Sequence, residues 1–273
     1  MKVGFIGLGS LGAPMARKIA RSGYPLTVYD VSAAAMAAFD EPGVELVGDP
    51  IEVARRCEAL AVCVRMDSDL VDLAGDGRIF AALGEGGLFV VHSTVAPELC
   101  QQLAESASRH GVSLIDAGVS GGAPAALKGE LSIYAGGEDE ALEKARPLLE
   151  CLGTVAHLGP VGRGMQGKLL NNLVSIANYG MAAAILDLGE SLGFEREQLR
   201  QTLMAGSAQG FALRAVPGLL RAEGAVAMRQ LLGKDVEHAR KLADTKMPAM
   251  AALVPAAESM LERLDRLAAE TAR

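Results

Sequence analysis

Short apolar runs alternate with amphipathic segments through the first half of the chain. The runs fall near residues 2–7, 25–30, 59–64, 87–92, 112–116 and 131–135. Segments with helical spacing separate most of them, as at residues 50–56 and 97–109. Because strands that alternate with helices build parallel sheets covered on both faces, the pattern predicts a doubly wound α/β domain. The run 87–91 is apolar on both faces, which predicts a buried central strand.

The pattern changes after about residue 163, where the strand signals stop. From Met165 to Leu192 the chain is rich in helix formers, and apolar side chains recur at intervals of three and four residues. Gly193 is a suitable C-cap, so this segment predicts one helix of about 28 residues, roughly 42 Å long. Such a helix is too long for one small core, and we expect it to connect two domains.

The remaining residues, 195–273, have the pattern of further helices. Helix ends are expected near Pro217, Gly224 and Pro248. The tail after Leu264 is polar enough to fray. We therefore predict a doubly wound parallel sheet in residues 1–163, and a long connecting helix with an all-α domain in residues 164–273.

Composition and charge narrow the class of protein. The 273 residues carry a net charge of −7 without a basic run, so we expect no nucleic-acid partner. No apolar stretch of about 18 residues and no leader with a cleavage site is visible, so we expect a cytoplasmic protein without a membrane span. The four cysteines form no CxxC pair and the four histidines are scattered, so no metal site is predicted.

The first apolar run is followed directly by a glycine-rich turn. The turn consists of Gly7, Leu8, Gly9, Ser10, Leu11 and Gly12. Gly7 permits a sharp reversal, Gly9 lets the backbone approach a pyrophosphate, and Gly12 lets the following helix pack closely on the sheet. The N–H groups of that helix N-terminus would face the phosphates. This context predicts a Rossmann-type dinucleotide site; a glycine turn that binds nothing is the alternative.

The second apolar run ends at an acidic residue, Asp30. A carboxylate there can accept hydrogen bonds from the adenosine ribose hydroxyls and would repel a 2′-phosphate. No basic residue follows at positions 31–33. The pattern therefore favours NAD over NADP as the cofactor.

Two loops that follow apolar runs carry hydroxyl groups. Ser93 and Thr94 follow the buried central strand, where ligands of doubly wound sheets bind, but taken alone they indicate a cap for the helix that begins near Pro97. The second loop holds Ser120, Gly121 and Gly122. Its hydroxyl and backbone N–H groups would suit a carboxylate, and a glycine loop without a chemical role is the alternative.

The start of the long helix carries Lys168 and Asn172, which lie one turn apart on one face. A lysine in a partly dry site can move protons near neutral pH, and an asparagine can orient both the lysine and a substrate. Spacing alone leaves a solvated pair as the alternative. Lys234 and Asp235, late in the chain, by themselves indicate only a surface pair.

Together these segments resemble the β-hydroxyacid dehydrogenase family, which includes 3-hydroxyisobutyrate dehydrogenase and is related to 6-phosphogluconate dehydrogenase. The resemblance covers essentially the whole chain and rests on five motifs in the family's order. They are the G-x-G-x-x-G turn, an S-T-x-x-P segment with Ser93, Thr94 and Pro97, a D-A-P-V-S-G-G loop that begins here at Asp116, a G-x-x-x-K-x-x-N-N segment with Gly164, Lys168, Asn171 and Asn172, and a K-D pair at Lys234 and Asp235.

The resemblance implies a reaction and a role for each motif. Hydride would pass between a nicotinamide cofactor and a small β-hydroxy acid or its semialdehyde, with Lys168 as the acid–base residue. Asn172 would hold the substrate hydroxyl and the lysine, with Asn171 beside it in the substrate site. The substrate carboxylate would bind to Ser120, Gly121 and Gly122. Further cofactor contacts would come from Thr94 and Lys234.

Two segments depart from the family pattern. Gly118 replaces the proline of the substrate loop, so this loop is expected to be less rigid. After the strand near residue 62 the family often has Leu-Pro, whereas this chain has Val64 and Arg65. We expect both at the cofactor site, where Arg65 could meet an anionic group or point to water.

Two other functions compete with a dehydrogenase. Imine reductases of the same fold usually lack the lysine, and a cofactor-binding module without catalysis would need neither Lys168 nor Asn172. We also expect a homodimer or homotetramer. A helical domain of about 80 residues with a long apolar helix would bury part of that helix against a second subunit.

Overall fold

The computed structural model describes residues 1–221, 223–242 and 247–271, without the side chains of residues 270 and 271. The chain forms two compact units, Met1–Lys168 and Leu169–Arg273. The boundary that we predict between residues 163 and 164 stays a prediction.

The first unit contains one eight-stranded sheet. Its strands are β1 (Val3–Ile6), β2 (Leu26–Tyr29), β3 (Glu45–Leu46), β4 (Ala59–Val62), β5 (Leu88–Val91), β6 (Ser113–Ser120), β7 (Leu131–Gly136) and β8 (Gly153–His157). They are ordered β3-β2-β1-β4-β5-β6-β7-β8. Every neighbouring pair is parallel except β6 and β7, which are antiparallel. The predicted doubly wound α/β class is confirmed, with β7 as the one strand that runs against its neighbour β6.

Helices connect most of these strands. They are α1 (Gly12–Arg21), α2 (Ala33–Ala38), α3 (Pro50–Arg56), α4 (Asp67–Ala74), α5 (Arg78–Leu83), α6 (Pro97–Ser108), α7 (Gly122–Lys128) and α8 (Asp139–Leu152). Two apolar clusters form the core of the unit, one including Phe5 and Met15 and the other Phe80 and Phe89. Buried positions cover all of β1, β4 and β5, as expected for central parallel strands.

Strand β6 is longer than its neighbour β5, and this length shapes the site described below. Residues 113–116 of β6 pair with β5, and residues 116–120 pair with β7. The second half of β6 therefore extends beyond the carboxyl end of β5 and carries the chain toward Ser120.

The second unit is helical in every part that the structure describes. The long helix α9 (Arg163–Ser191) begins in the first unit, and α10 (Arg196–Ala205), α11 (Phe211–Leu219), α12 (Ala225–Lys241) and α13 (Pro248–Thr271) follow. Leu173 and Ile176 of α9 pack in a core cluster with buried residues of α12 and α13. The predicted long helix is confirmed, and Gly193, two residues after the end of α9, has the positive φ of +88° expected of a C-terminal cap.

Helix α11 ends at Leu219, two residues after Pro217, so the helix end expected near Pro217 is confirmed. The carbonyl of Leu213, which Pro217 leaves without a helical partner, accepts a hydrogen bond from Arg200 at 3.3 Å. Two other expectations for the helical unit need correction. Helix α13 continues to Thr271 where we expected fraying. Among the described residues, α9 is the one helix long and apolar enough to cross a membrane by length and composition, with a mean hydropathy of 1.4 over its best window. The expectation of no such stretch is therefore wrong, although core helices have the same composition and 44% of that window is buried.

Candidate active site

The glycine turn lies where the strand order reverses. Strand β1 has β2 on one side and β4 on the other, which creates a crevice at the carboxyl ends of the strands. Gly7 has φ +99°, and a Cβ there would overlap the carbonyl oxygen of Cys63 at the end of β4. A Cβ on Gly9 would have no atom within 4 Å. The turn is thus closed beneath Gly7 and open above Gly9, as a site for a pyrophosphate requires.

Helix α1 begins directly from this turn. A Cβ on Gly12 would overlap the carbonyl oxygen of Gly7, so only glycine lets the helix start so close to the strand. Its N-cap residue, Leu11, makes no side-chain capping hydrogen bond. The N-terminal dipole of α1 is therefore directed at the crevice without a carboxylate or hydroxyl cap of its own.

Asp30 braces the glycine turn from the end of β2. Its Oδ2 accepts a hydrogen bond from the backbone N–H of Leu8 at 2.6 Å, and its Oδ1 accepts one from Ser32 at 2.7 Å. Val31, beside it, is 89% exposed. The carboxylate keeps further lone pairs for ligand hydroxyls, while it also fixes the turn. The bracing contact is a role that the sequence pattern did not reveal.

The loops after β4 and β5 are joined by a hydroxyl. Ser93 is buried, and its Oγ accepts a hydrogen bond from the backbone N–H of Val64 at 2.7 Å. Helix α6 starts after Ala96 without a side-chain cap, so the alternative of Ser93 or Thr94 as its N-cap is wrong. Arg65 is exposed in the loop after β4, and its backbone N–H donates to the side chain of Asp69.

His92 is a buried polar residue that we did not single out from the sequence. Its Nδ1 lies 2.8 Å from the carbonyl oxygen of Ala117 in β6, so this nitrogen carries the proton and donates. The ring also stacks with Phe5, with 6.4 Å between ring centroids. Burial lowers the pKa of His92 to about 4, although the bond to Ala117 opposes the shift. His92 is therefore a neutral link between β5 and β6 at neutral pH.

The segment with Ser120, Gly121 and Gly122 ends β6 and starts α7. Gly121 has φ +132° and Gly122 has φ +72°, a region that disfavours every residue except glycine. A Cβ on Gly121 would also lie 2.7 Å from that of Ala125. The two glycines allow the sharp bend between the end of β6 and the start of α7.

Asp116 in β6 caps the start of the long helix. Its Oδ1 accepts a hydrogen bond from the N–H of Gly162 at 2.8 Å, and its Oδ2 accepts one from Met165 at 2.6 Å. The residue is fully buried. Burial raises the pKa of Asp116 to about 7, while the backbone N–H donors partly oppose the shift. The first turn of α9 is thereby fixed to the middle of β6.

Lys168 lies over β6, one turn further along α9. A Cβ on Gly118 would lie 2.8 Å from both Cβ and Cγ of Lys168, so the lysine stem occupies the space that a side chain at 118 would need. Lys168 is only 7% exposed. Gly118 is two residues before Ser120, which corresponds to roughly 7 Å along a strand. The glycine that replaces the family's proline therefore has a packing reason.

A second polar group lies within the helical unit. The Nδ2 of Asn171 donates to Oδ1 of Asn172 at 3.0 Å, and the Nδ2 of Asn172 donates to Oδ2 of Asp235 at 2.7 Å. The Nζ of Lys234 lies 3.8 Å from Oδ1 of Asp235. The side chains of Lys234 and Asp235 are 9% and 4% exposed, so their description as a surface pair is wrong.

No metal centre is present in the described part of the chain. No group of three or more His, Cys, Asp or Glu residues there is arranged to hold an ion. The cysteines Cys57, Cys63, Cys100 and Cys151 are all free thiols. Burial raises the pKa of Cys57 to about 12 and also raises the pKa of Cys100, so both are poor nucleophiles and ligands.

The fold and the crevice at the carboxyl ends of its strands define a dinucleotide-binding α/β protein with an appended helical unit. Residues 2–165 match the family model of the NAD binding domain of 6-phosphogluconate dehydrogenase. The mitochondrial 3-hydroxyisobutyrate dehydrogenase of Mus musculus is 34% identical over 224 residues, which span 80% of this chain and 67% of that enzyme. The NAD-dependent L-serine dehydrogenase of Pseudomonas aeruginosa is 32% identical over 256 residues, covering 89% of this chain and 85% of that enzyme.

A solved structure extends the similarity to the whole fold. Psf3 in complex with NADP+ and 2-OPP matches with a TM-score of 0.84 and 26% identity, covering 97% of this chain and all of that one. The chain belongs to the 3-hydroxyisobutyrate dehydrogenase family, which is related to 6-phosphogluconate dehydrogenase. It is an NAD(P)-binding oxidoreductase, as the sequence motifs predict.

Proposed function

We propose that this protein transfers hydride between NAD and a small β-hydroxy acid or its semialdehyde, with Lys168 as the acid–base residue. The observation that carries the proposal is the packing of the Lys168 stem on Gly118, two residues before Ser120. A hydroxy acid needs a proton-transfer group near a carboxylate-binding loop, and here the lysine packs on the strand that leads into that loop.

The cofactor would lie in the crevice above Gly9. The space over Gly9 supports a pyrophosphate there, with Ser10, Leu11 and the α1 N-terminus beside it. Asp30 would accept hydrogen bonds from the adenosine ribose and repel a 2′-phosphate, which favours NAD over NADP. The nicotinamide half would extend past the loops with Val64, Arg65 and Thr94, and Lys234 would also approach the cofactor. When bound, the nicotinamide supplies the hydride chemistry.

The substrate carboxylate would bind at the bend that ends β6. The Ser120 hydroxyl and the backbone N–H groups of Gly121 and Gly122 can donate hydrogen bonds to a carboxylate. Such donors hold the substrate by its acid group and leave its hydroxyl end toward Lys168. The specificity for a carboxylate substrate would therefore reside in backbone geometry that only glycines adopt.

Lys168 would move the proton at its Nζ. In the oxidation direction it accepts the hydroxyl proton, and in the reduction direction it donates a proton to the alkoxide oxygen. Asn172, one turn along α9, would hold the same oxygen through its amide, with Asn171 supporting it. A buried lysine suits this task, because water competes little for its proton.

The test is turnover by Lys168→Ala on a panel of hydroxy acids and semialdehydes with NAD(H). Loss of a general acid–base group reduces turnover by about 10²- to 10⁴-fold, whereas NADH affinity should persist. Lys168→Arg is a matched variant, since it keeps the positive charge but cannot give up its proton. Undiminished turnover of the alanine variant would remove Lys168 from the mechanism. A wild type that turns over no member of the panel would favour the imine reductase or the non-catalytic alternative.

We further propose that the protein works in the cytoplasm as a homodimer or homotetramer with no nucleic-acid or membrane partner. Helix α9 presents a stripe of exposed apolar side chains at intervals of three, four and seven residues. They are Leu170, Val174, Met181, Ile185 and Leu188. An uncharged stripe can pack against its own copy across a two-fold axis without repulsion. Sedimentation at micromolar concentration should give a dimer or larger, and a monomer would contradict this part of the proposal.

A further inference from the structure

The carboxylate of Asp235 on α12 is buried and takes no part in the proton or hydride transfer proposed above. It is 3% exposed, and a buried carboxylate needs donors close to it. Its Oδ2 accepts the 2.7 Å hydrogen bond from Asn172, and its Oδ1 lies 3.8 Å from Lys234 Nζ. Asp235 therefore contacts two residues that carry roles in the proposed function.

The chemistry of a carboxylate determines which way the Asn172 amide points. An ionised carboxylate only accepts hydrogen bonds, so the amide must turn its NH2 group toward Asp235. The reverse orientation would bring two oxygen acceptors together in a buried site. The contact from Asn171 Nδ2 to Asn172 Oδ1 at 3.0 Å fits the same orientation. The carboxylate is therefore the partner that fixes the orientation of the Asn172 amide.

This orientation decides what the amide can offer a ligand. A primary amide has two N–H donors and two acceptor lone pairs. Asp235 uses one donor and Asn171 uses one lone pair, which leaves Asn172 one donor and one acceptor. The substrate oxygen can accept a hydrogen bond from the remaining N–H of Asn172, while its one hydroxyl proton passes to Lys168. As the oxygen becomes an alkoxide, the hydrogen bond from the remaining N–H of Asn172 becomes stronger, because hydrogen bonds to a charged oxygen are stronger.

We propose that Asp235 is a positioning residue that fixes the Asn172 amide for the substrate hydroxyl. The inference rests on the proposed function, in which Asn172 binds that hydroxyl. Asp235 itself touches neither substrate nor reacting atoms. Its proposed effect on the substrate hydroxyl passes through the 2.7 Å hydrogen bond to Asn172, so the loss of turnover that this bond causes should appear only while Asn172 is present.

The experiment is a double-mutant cycle of Asp235→Asn and Asn172→Ala, with kcat and KM measured on a hydroxy acid that the wild type oxidises. Asp235→Asn should lower kcat by about tenfold to a hundredfold, the value of one hydrogen bond to a charged group, with a smaller change in KM. In the Asn172→Ala background the same change should cost less than about threefold. Glu237→Gln on the same helix is the matched control, because Glu237 is exposed and pairs only at 3.8 Å with Lys241.

The outcomes separate the inference from the proposed function. Wild-type kcat in Asp235→Asn, or an equal loss with and without Asn172, overturns the positioning role alone. Wild-type kcat in Asn172→Ala overturns the role of Asn172 and the inference together. Circular dichroism and NADH binding by fluorescence report whether each variant folds. If Asp235→Asn does not fold, a double variant with Asp235→Asn and Lys234→Met removes both charges. The inference then requires that this double variant has a kcat at least tenfold below that of Lys234→Met alone.

Discussion

Asp116 should make the stability of this protein fall as pH rises through the acidic range. The carboxyl has an ordinary pKa of 3.8, and burial raises it to about 7 in the folded protein. Between these values the folded state binds a proton that the unfolded state has released. Stability falls with rising pH wherever the folded state binds more protons than the unfolded state. The loss of stability is therefore complete above about pH 7 and absent below about pH 4.

The size of this effect follows from the pKa difference. A difference of about three units corresponds to about 4 kcal/mol of unfolding free energy. Asp116→Asn removes the titrating group and keeps one acceptor for the two N–H donors, Gly162 and Met165. The unfolding free energy of the wild type, minus that of the variant, should therefore decrease by about 4 kcal/mol from pH 4 to pH 8.

Urea unfolding followed by circular dichroism at a series of pH values measures this difference. Asp76→Asn is a control of opposite sign, because the contacts with Arg78 lower the pKa of the exposed Asp76 carboxyl. The wild type should gain stability relative to that variant as pH rises. A difference between wild type and Asp116→Asn that does not change with pH would refute the reasoning. It would mean that the backbone donors balance the cost of burial.

Three other perturbations have definite outcomes. His92→Gln should reduce the amount of stability that the protein loses at acid pH. Because the pKa of His92 is about 4 in the folded state against an ordinary 6.5, the wild type loses about 3 kcal/mol of unfolding free energy as pH falls from 6.5 to 4. The same pH dependence of urea unfolding in the two proteins would contradict this. Gly118→Ala should displace the Lys168 stem and lower kcat by at least tenfold, with NADH affinity retained. Gly48→Ala is the control and should leave kcat unchanged, because a Cβ there meets no atom within 4 Å. Equal kcat in both variants would refute the packing argument. Asp30→Ala should raise the ratio of kcat/KM for NADP over NAD, and a wild type that already prefers NADP would show that the carboxylate does not exclude the 2′-phosphate.

The sequence predicts elements with a strong local pattern. Six apolar runs are strands, because central strands are buried on both faces and need continuous apolar sequence. Strand β3 has only two residues, and β8 lies at the sheet edge with a mixed exposed pattern, so neither carries that signal. The antiparallel direction of β7 also has no local signature, since it depends on β6 extending past β5.

The sequence also predicts only those site residues whose relation is local. The glycine turn and the pair Lys168 and Asn172 are visible because spacing within one turn or one helix fixes their geometry. The roles of Asp116 and Asp235 are not visible, because their hydrogen bonds join residues 46 and 63 positions apart. In the sequence His92 is an isolated histidine, and its role depends on the tertiary contact with Ala117. Tertiary contacts of this kind follow from topology, which local sequence does not encode.

Strand β6 connects most of the first unit's site residues to one another. The carbonyl of Ala117 holds His92, the carboxylate of Asp116 caps α9, and Gly118 receives the stem of Lys168. The strand then ends at Ser120, where the bend that we propose for the substrate carboxylate begins. Substitutions at these positions share one backbone segment, so their effects on turnover should not be additive. A shift of β6 by a few tenths of an ångström would move the proposed proton donor and the substrate loop together, which preserves their relative geometry while altering both against the cofactor crevice.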